Sequence, residues 1–148
     1  MGYNLIAMLV AMLAGLTMAL QGSLNSLLGK VVGLLEATFI VHIIGTLTVV
    51  VGLFALGLGR GNLLRLPEAP WYSLAGGILG VIIVYGVVFS IPKLGMAVAT
   101  TAIIVGQVST ALAIDHFGLF GLEKIPFSWV KGVGLLLLAA GARLMLMK

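Results

Sequence analysis

The sequence predicts an all-α integral membrane protein in which five helices cross the bilayer. Apolar residues make up 61% of its 148 residues and charged residues only 8%, and the mean hydropathy is +1.28. A soluble domain of this size needs a charged surface, which so few charges cannot supply. Helices are favoured over a barrel because the apolar runs are continuous and about twice as long as a barrel strand of roughly ten alternating residues.

Five apolar runs of about 20 residues, the length that crosses the hydrocarbon core, define the predicted spans. They are residues 5–28, 37–58, 71–91, 94–114 and 127–147. Nearly all the charges fall in the gaps between them, and interfacial aromatics stand at span ends, namely Trp71, Tyr72 and Trp129. The prolines also fall in the gaps, where a missing N–H does no harm: Pro67, Pro70, Pro92 and Pro126. The whole chain, 1–148, is thus predicted to be a single transmembrane domain.

Polar residues inside the spans recur at four-residue spacing, which puts them on one face of each helix. A polar side chain in hydrocarbon needs a partner or a water-filled cavity, so these faces are expected to line a cavity. The alternative is that they form hydrogen bonds between helices with no substrate involved. The residues are Thr17, Gln21 and Asn25 in the first span, Thr38, His42 and Thr46 in the second, and Gln107 in the fourth, with Tyr85 of the third as an aromatic wall.

Three ionisable residues have specific expectations. His42 lies about 9 Å into its helix from Glu36, and its alternatives are a hydrogen bond to a neighbouring helix or a role in binding protons or substrate. Glu36 is predicted in the first turn of the second helix, where the helix dipole stabilises an anion. Asp115 is predicted to follow a helix C-terminus, which disfavours an anion, so it should need a donor or cation. The candidate partners are His116, Lys124 and Arg60.

Several classes of protein are excluded by what the sequence lacks. With no cysteine, it has no disulfide and no thiolate chemistry. It shows no metal-ligand spacing, no phosphate-binding glycine loop and no nucleophile beside a base, so neither an enzyme nor a cofactor or metal site is expected. The basic residues are scattered at helix ends, which argues against nucleic acid as a partner. The N-terminus lacks a basic n-region and a cleavage site, so the first span is predicted to be retained.

The basic residues divide evenly between the two sides of the membrane that five spans define. Four stand on the N-terminal side, Arg60, Arg65, Lys124 and Lys131, and four on the other, Lys30, Lys93, Arg143 and Lys148. The positive-inside rule then favours neither orientation. An even split can arise by chance. The alternative is dual topology, in which two opposed copies form an inverted-repeat pair such as transporters use.

The residues also resemble a known family. The segment 114–121, Ile-Asp-His-Phe-Gly-Leu-Phe-Gly, with Gly106 and Gln107 upstream, resembles the signature of the YdcZ-type family, a half-size branch of the drug/metabolite transporter superfamily. Further similarities run along the whole chain. They are Gln21-Gly22 with Asn25, Gly45-Thr46, Pro70-Trp71 followed by Gly76, Gly77 and Gly80, then Leu94-Gly95, Gly132 and Gly141.

The resemblance implies a five-helix protein of the bacterial inner membrane that is one half of an inverted-repeat transporter fold. It implies a multi-pass exporter of small molecules that works in the lipid bilayer beside a second, opposed copy or a related half-size chain. Its motif positions are Gln21, Asn25, Gln107 and Asp115. The predicted function is therefore efflux by an antiparallel homodimer. The alternatives are a dual-topology channel and a membrane subunit that does not itself transport.

Overall fold

The computed structural model describes residues 4–147, which contain α-helices and short helical turns but no strand. The α-helices are α1 (Leu5–Val32), α2 (Leu34–Val50), α3 (Ala75–Leu94), α4 (Met96–Phe117) and α5 (Trp129–Leu146). Four helical segments of the described chain are long and apolar enough to cross a membrane: Leu5–Val32, Leu34–Ala55, Trp71–Leu94 and Met96–Phe117. The first four predicted spans therefore coincide with membrane-length helices. The fifth coincides with α5, whose passage through the membrane stays a prediction.

Two compact units make up the chain, Met1–Lys93 and Leu94–Lys148. The first contains α1, α2 and α3, and its core lies near the turn between α1 and α2. There Ala37 and Val88 are completely buried, and Gly29 of α1 is close to both side chains. Large apolar side chains elsewhere are mostly exposed, as expected where lipid surrounds them. The core of this unit is therefore a small, closely packed junction of three helices.

A single residue joins α1 to α2. Gly33 has φ 105°, and its N–H donates to the Gly29 carbonyl at 3.1 Å. The helix α1 continues past the predicted end at residue 28 and carries Lys30 in its last turn, where the partial negative charge of the carbonyls stabilises a cation. Glu36 lies in the first turn of α2, as predicted. The predicted gap between the first two spans is therefore almost entirely helical.

The second helical segment ends before residue 58, the predicted end of its span. The α-helix changes to a π-helical turn at Val51–Ala55, and the chain leaves helical geometry before Gly57, whose φ is 60°. The exposed segment that follows contains the ion pair between Arg65 and Glu68, with a nitrogen–oxygen distance of 2.7 Å. The Glu68 carboxylate raises the pKa of the Arg65 guanidinium through this hydrogen bond.

Two residues expected in gaps lie inside helices. Pro92 is within the last turn of α3. Proline cannot donate a backbone hydrogen bond, but at this position only one of the last bonds of the helix is lost, so α3 continues past Pro92. Asp115 lies within α4, which continues to Phe117. Neither His116 nor Lys124, the candidate partners in the same unit, forms an ion pair with Asp115 among the residues that the structure describes.

The second unit is a pair of helices, α4 and α5, whose connecting segment is held by hydrogen bonds. Gly118 ends α4 in the left-handed conformation, and the Asp115 carbonyl accepts the N–H groups of Gly118 at 3.3 Å and Ile125 at 2.8 Å. The Phe127 N–H donates to His116 Nδ1 at 3.1 Å. The bonds to the Asp115 carbonyl and to His116 fix the reversal of the chain between the two helices. At the opposite end of the pair, Thr101 Oγ1 lies 3.3 Å from the sulfur of Met145.

Gly118→Ala is expected to lower the free energy of unfolding by about 1 kcal/mol, because only glycine adopts this left-handed cap without cost. An added Cβ would also lie 3.2 Å from Lys124 Cβ. Unfolding of the purified protein by SDS, followed by far-UV circular dichroism, measures the change. The matched control is Gly134→Ala in α5, whose Cβ would meet nothing within 4 Å. Equal stability of the two variants would contradict the prediction.

Candidate site between α1, α2 and α3

Two clefts of the first unit share one residue, His42. The first has a volume of about 490 Å³, and its wall includes Glu36, Thr38, Phe39 and Val81 as well as His42. The second has a volume of about 460 Å³, and its wall includes Gln21, Thr46 and Val84 together with His42. Both clefts are mainly apolar with a few polar groups, which is the usual character of a small-molecule site. His42 therefore stands at the boundary of the two clefts.

The imidazole of His42 is fixed by its own helix. Its Nδ1 lies 2.7 Å from the carbonyl oxygen of Thr38, one turn earlier. A carbonyl only accepts hydrogen bonds, so Nδ1 must carry the hydrogen and the neutral ring has an unprotonated Nε2. This nitrogen points towards α3, where a Cβ added to Gly80 would lie 3.7 Å from it. The glycine leaves the space beside Nε2 free of a side chain.

The structure brings several of the predicted residues together. Gln21 of α1 and His42 of α2 line the second cleft, and Glu36, Thr38 and His42 line the first. The Thr38 hydroxyl donates to the Leu34 carbonyl at 2.9 Å, so its own hydrogen-bonding capacity is used within α2.

Other predicted residues lie away from these two walls. Asn25 is nearly buried, at 7% exposed, and Thr17 donates to the Leu13 carbonyl at 2.9 Å. Tyr85 does not line either cleft, because α3 contributes Val81 and Val84 to them. Gln107 belongs to α4 in the second unit, where it is exposed.

Side-chain hydroxyls and side-chain amides of the spans differ in whether they have hydrogen-bond partners. Eight Ser and Thr hydroxyls of the described helices donate to the carbonyl four residues earlier, which pairs them inside their own helix. Within residues 4–147, the side-chain amides of Gln21, Asn25 and Gln107 have no hydrogen-bond partner. These eight hydroxyls are thus paired within their own helices, whereas the three amides remain available to another molecule.

Gly80 is a site residue that the sequence did not indicate as one. Its spacing from Gly76 suggests helix packing, and nothing in a single sequence pairs it with His42 of another helix. The described residues also contain no group of three or more His, Cys, Asp or Glu side chains that could hold a metal ion. The groups that the clefts offer a ligand are therefore an imidazole, an amide, a carboxylate, the Thr46 hydroxyl and apolar walls.

Comparison with known proteins places this architecture in a family. A family model with the description "Putative inner membrane exporter, YdcZ" matches residues 6–144, from the start of α1 nearly to the end of α5. No curated protein and no solved structure matches the chain. The match and the apolar helices of membrane length agree on a multi-pass protein of the inner membrane. Because the match covers nearly the whole sequence, the chain belongs to the YdcZ family of inner membrane exporters.

Proposed function

We propose that the protein is a secondary transporter of the drug/metabolite type that exports a small molecule, and that two copies in opposite orientation form the transport unit. The observation that carries this proposal is the set of unpaired amides within the spans, Gln21, Asn25 and Gln107. The exporter family to which the chain belongs supplies the class of function.

An unpaired amide is costly inside a bilayer. Hydrocarbon offers no hydrogen bonds, and removing an amide from water without a partner costs roughly 2–7 kcal/mol. Gln21 and Gln107 are exposed on their helices. In a single copy surrounded by lipid, both amides would therefore lie in hydrocarbon without a partner, which is unfavourable in free energy. A water-filled substrate pathway, or the polar face of a second copy, removes this cost. The amides therefore favour a second copy or a water-filled pathway over a single copy surrounded by lipid.

The opposed arrangement is supported by the charges and by α5. An even four-to-four division of basic residues favours neither orientation. The α5 helix has 18 residues, about 27 Å at 1.5 Å per residue, close to the thickness of the hydrocarbon core. Lys131 and Arg143 lie near its ends, from which long side chains reach the interface. Five spans in each of two opposed copies would make an inverted repeat.

The proposed pocket contains Gln21, Asn25, His42, Tyr85 and Gln107. Gln21 and His42 already share a cleft within one copy, and this cleft is the starting point of the pathway. The remaining residues would be brought to it when the transport unit assembles. Rocking of the two opposed halves about the pocket would open it alternately to each side.

Cysteine labelling in intact cells tests the orientation. We expect partial labelling from outside at two single-cysteine sites, Gly61→Cys and a cysteine added after Lys148. The chain has no cysteine of its own, and a Cβ at Gly61 would meet nothing within 4 Å. Partial labelling at both sites, complete after lysis, is expected only if both orientations occur.

Other labelling patterns would reject the opposed homodimer. Five spans in one orientation would label one site fully and the other not at all. Four spans in one orientation would label both sites fully or neither. If only one orientation occurs, the same two variants also report whether α5 crosses the membrane.

A further inference from the structure

The two histidines of the chain hold their hydrogens on opposite ring nitrogens. His42 Nδ1 donates to the Thr38 carbonyl at 2.7 Å, which leaves Nε2 with a free lone pair. His116 Nδ1 instead accepts the Phe127 N–H at 3.1 Å, so the hydrogen of its neutral ring is on Nε2. His116 is thus an internal reference with the opposite tautomer.

The free nitrogen of His42 has no donor within its own unit. Among the described residues no side chain or backbone N–H donates to Nε2, and Gly80 of α3, where an added Cβ would lie 3.7 Å from Nε2, has no side chain. An acceptor left open in a largely apolar cleft is satisfied only by a group that donates to it. Within the described unit no group supplies this donor, and a molecule that enters the cleft can do so.

The charged groups around His42 are few. From α1 the cleft walls receive the uncharged amide of Gln21, and from α3 they receive Val81 and Val84. Glu36 is the one other titratable residue that lines these two clefts. It lies six residues before His42 on α2, about 9 Å along the axis. Around the His42 nitrogen the clefts therefore offer one carboxylate, the uncharged Gln21 amide and the Thr46 hydroxyl, and no cationic side chain.

We propose that His42 Nε2 recognises the exported molecule by accepting a hydrogen bond from it, and that this molecule is an apolar primary amine. The amine N–H supplies the missing donor, its positive charge suits the Glu36 carboxylate, and its apolar part packs against Phe39 and Val81. The proposal deepens the proposed export function and rests on it.

Nitrogen-15 NMR of the full-length protein in lipid nanodiscs, labelled at histidine, tests the proposal with hexylamine as the probe. At about pH 8, where imidazole is normally neutral, we expect hexylamine to shift the Nε2 resonance of His42 and to leave His116 unchanged. Hexyltrimethylammonium has the same charge and chain but no N–H, so it should produce no such shift. Equal shifts with both probes, or none with hexylamine, would overturn the proposal.

Gly80→Ala places a methyl group beside His42 Nε2 without disturbing the fold. Its methyl group would lie 3.7 Å from Nε2, an ordinary contact distance, and would occupy the space the amine needs. We expect hexylamine to bind about tenfold more weakly, the loss of roughly one hydrogen bond. The control is Gly76→Ala, one turn earlier, whose Cβ would meet nothing within 4 Å. Unchanged affinity in Gly80→Ala would refute recognition at Nε2.

These binding measurements require neither transport nor a particular orientation. Failure of the amine to bind would leave the labelling result at Gly61 intact, and a single orientation in cells would leave binding to His42 intact. The two proposals can therefore fail separately.

Discussion

Gly29→Ala is expected to lower the free energy of unfolding by about 1–3 kcal/mol, the usual cost of overpacking a closely packed core. A Cβ added at this position of α1 would collide with Val88 Cγ1 of α3. Val88 is completely buried, and its branched side chain has little rotational freedom in a helix. Neither side chain can move away, so the helices themselves must shift. SDS-induced unfolding followed by far-UV circular dichroism measures the loss.

Two variants separate this collision from other effects of alanine. Gly15→Ala lies on the same helix with nothing within 4 Å of its Cβ, and we expect its stability to change by less than about 0.5 kcal/mol. In the double variant Gly29→Ala, Val88→Ala, the smaller partner makes room for the new methyl group. The double variant should therefore lose less free energy of unfolding than the two single variants lose when their losses are added. Strict additivity would show that the α1–α3 contact is not the cause.

Removing two positive charges from one side is expected to convert mixed insertion into a single orientation. The double variant Lys30→Gln, Arg143→Gln keeps four basic residues on the side of Arg60 and two on the other side. The side that carries Arg60 should therefore remain in the cytoplasm. Each charge is worth about 2.3 kcal/mol per 100 mV of membrane potential, so two charges suffice to shift the population strongly. Labelling of Gly61→Cys from outside should then fall nearly to zero.

The reciprocal variant is the matched control. The double variant Arg60→Gln, Lys124→Gln leaves two basic residues on the side of Gly61 and four on the other side. Labelling of Gly61→Cys from outside should then become nearly complete. Arg65 is kept because it is paired with Glu68, and Lys93 because its Nζ lies 3.4 Å from the centre of the Phe89 ring. Labelling that stays the same in both variants would mean that these charges do not set the orientation.

The positions of the membrane helices could be predicted from the sequence because apolar length alone determines them. Their ends could not, because local backbone chemistry decides where a helix stops. Lys30 is polar, yet it stabilises the C-terminal turn of α1, and the helix ends at Gly33 instead. Asp115 likewise lies in α4, which ends only at the left-handed Gly118. A loss of hydrophobicity marks the edge of the bilayer, not the end of the helix.

The candidate site was predictable only in part. The four-residue spacing of polar residues indicated the faces of α1 and α2, and Gln21 and His42 do line one cleft. The tautomer of His42 depends on the carbonyl one turn earlier, and the role of Gly80 depends on how α2 and α3 are paired. Neither property is contained in the spacing of residues along one helix. The relation between helices is what the structure adds.

The one-residue turn at Gly33 has a consequence for how the chain can be cut. A protease needs an extended stretch of exposed backbone, and such stretches occur in surface loops. Between Leu5 and Ala55, Gly33 is the one residue outside a helix. By contrast, residues 56–70 form an exposed connection with only a short helical turn. Digestion of the folded protein should thus leave the α1–α2 hairpin as one fragment and release it at the segment before α3.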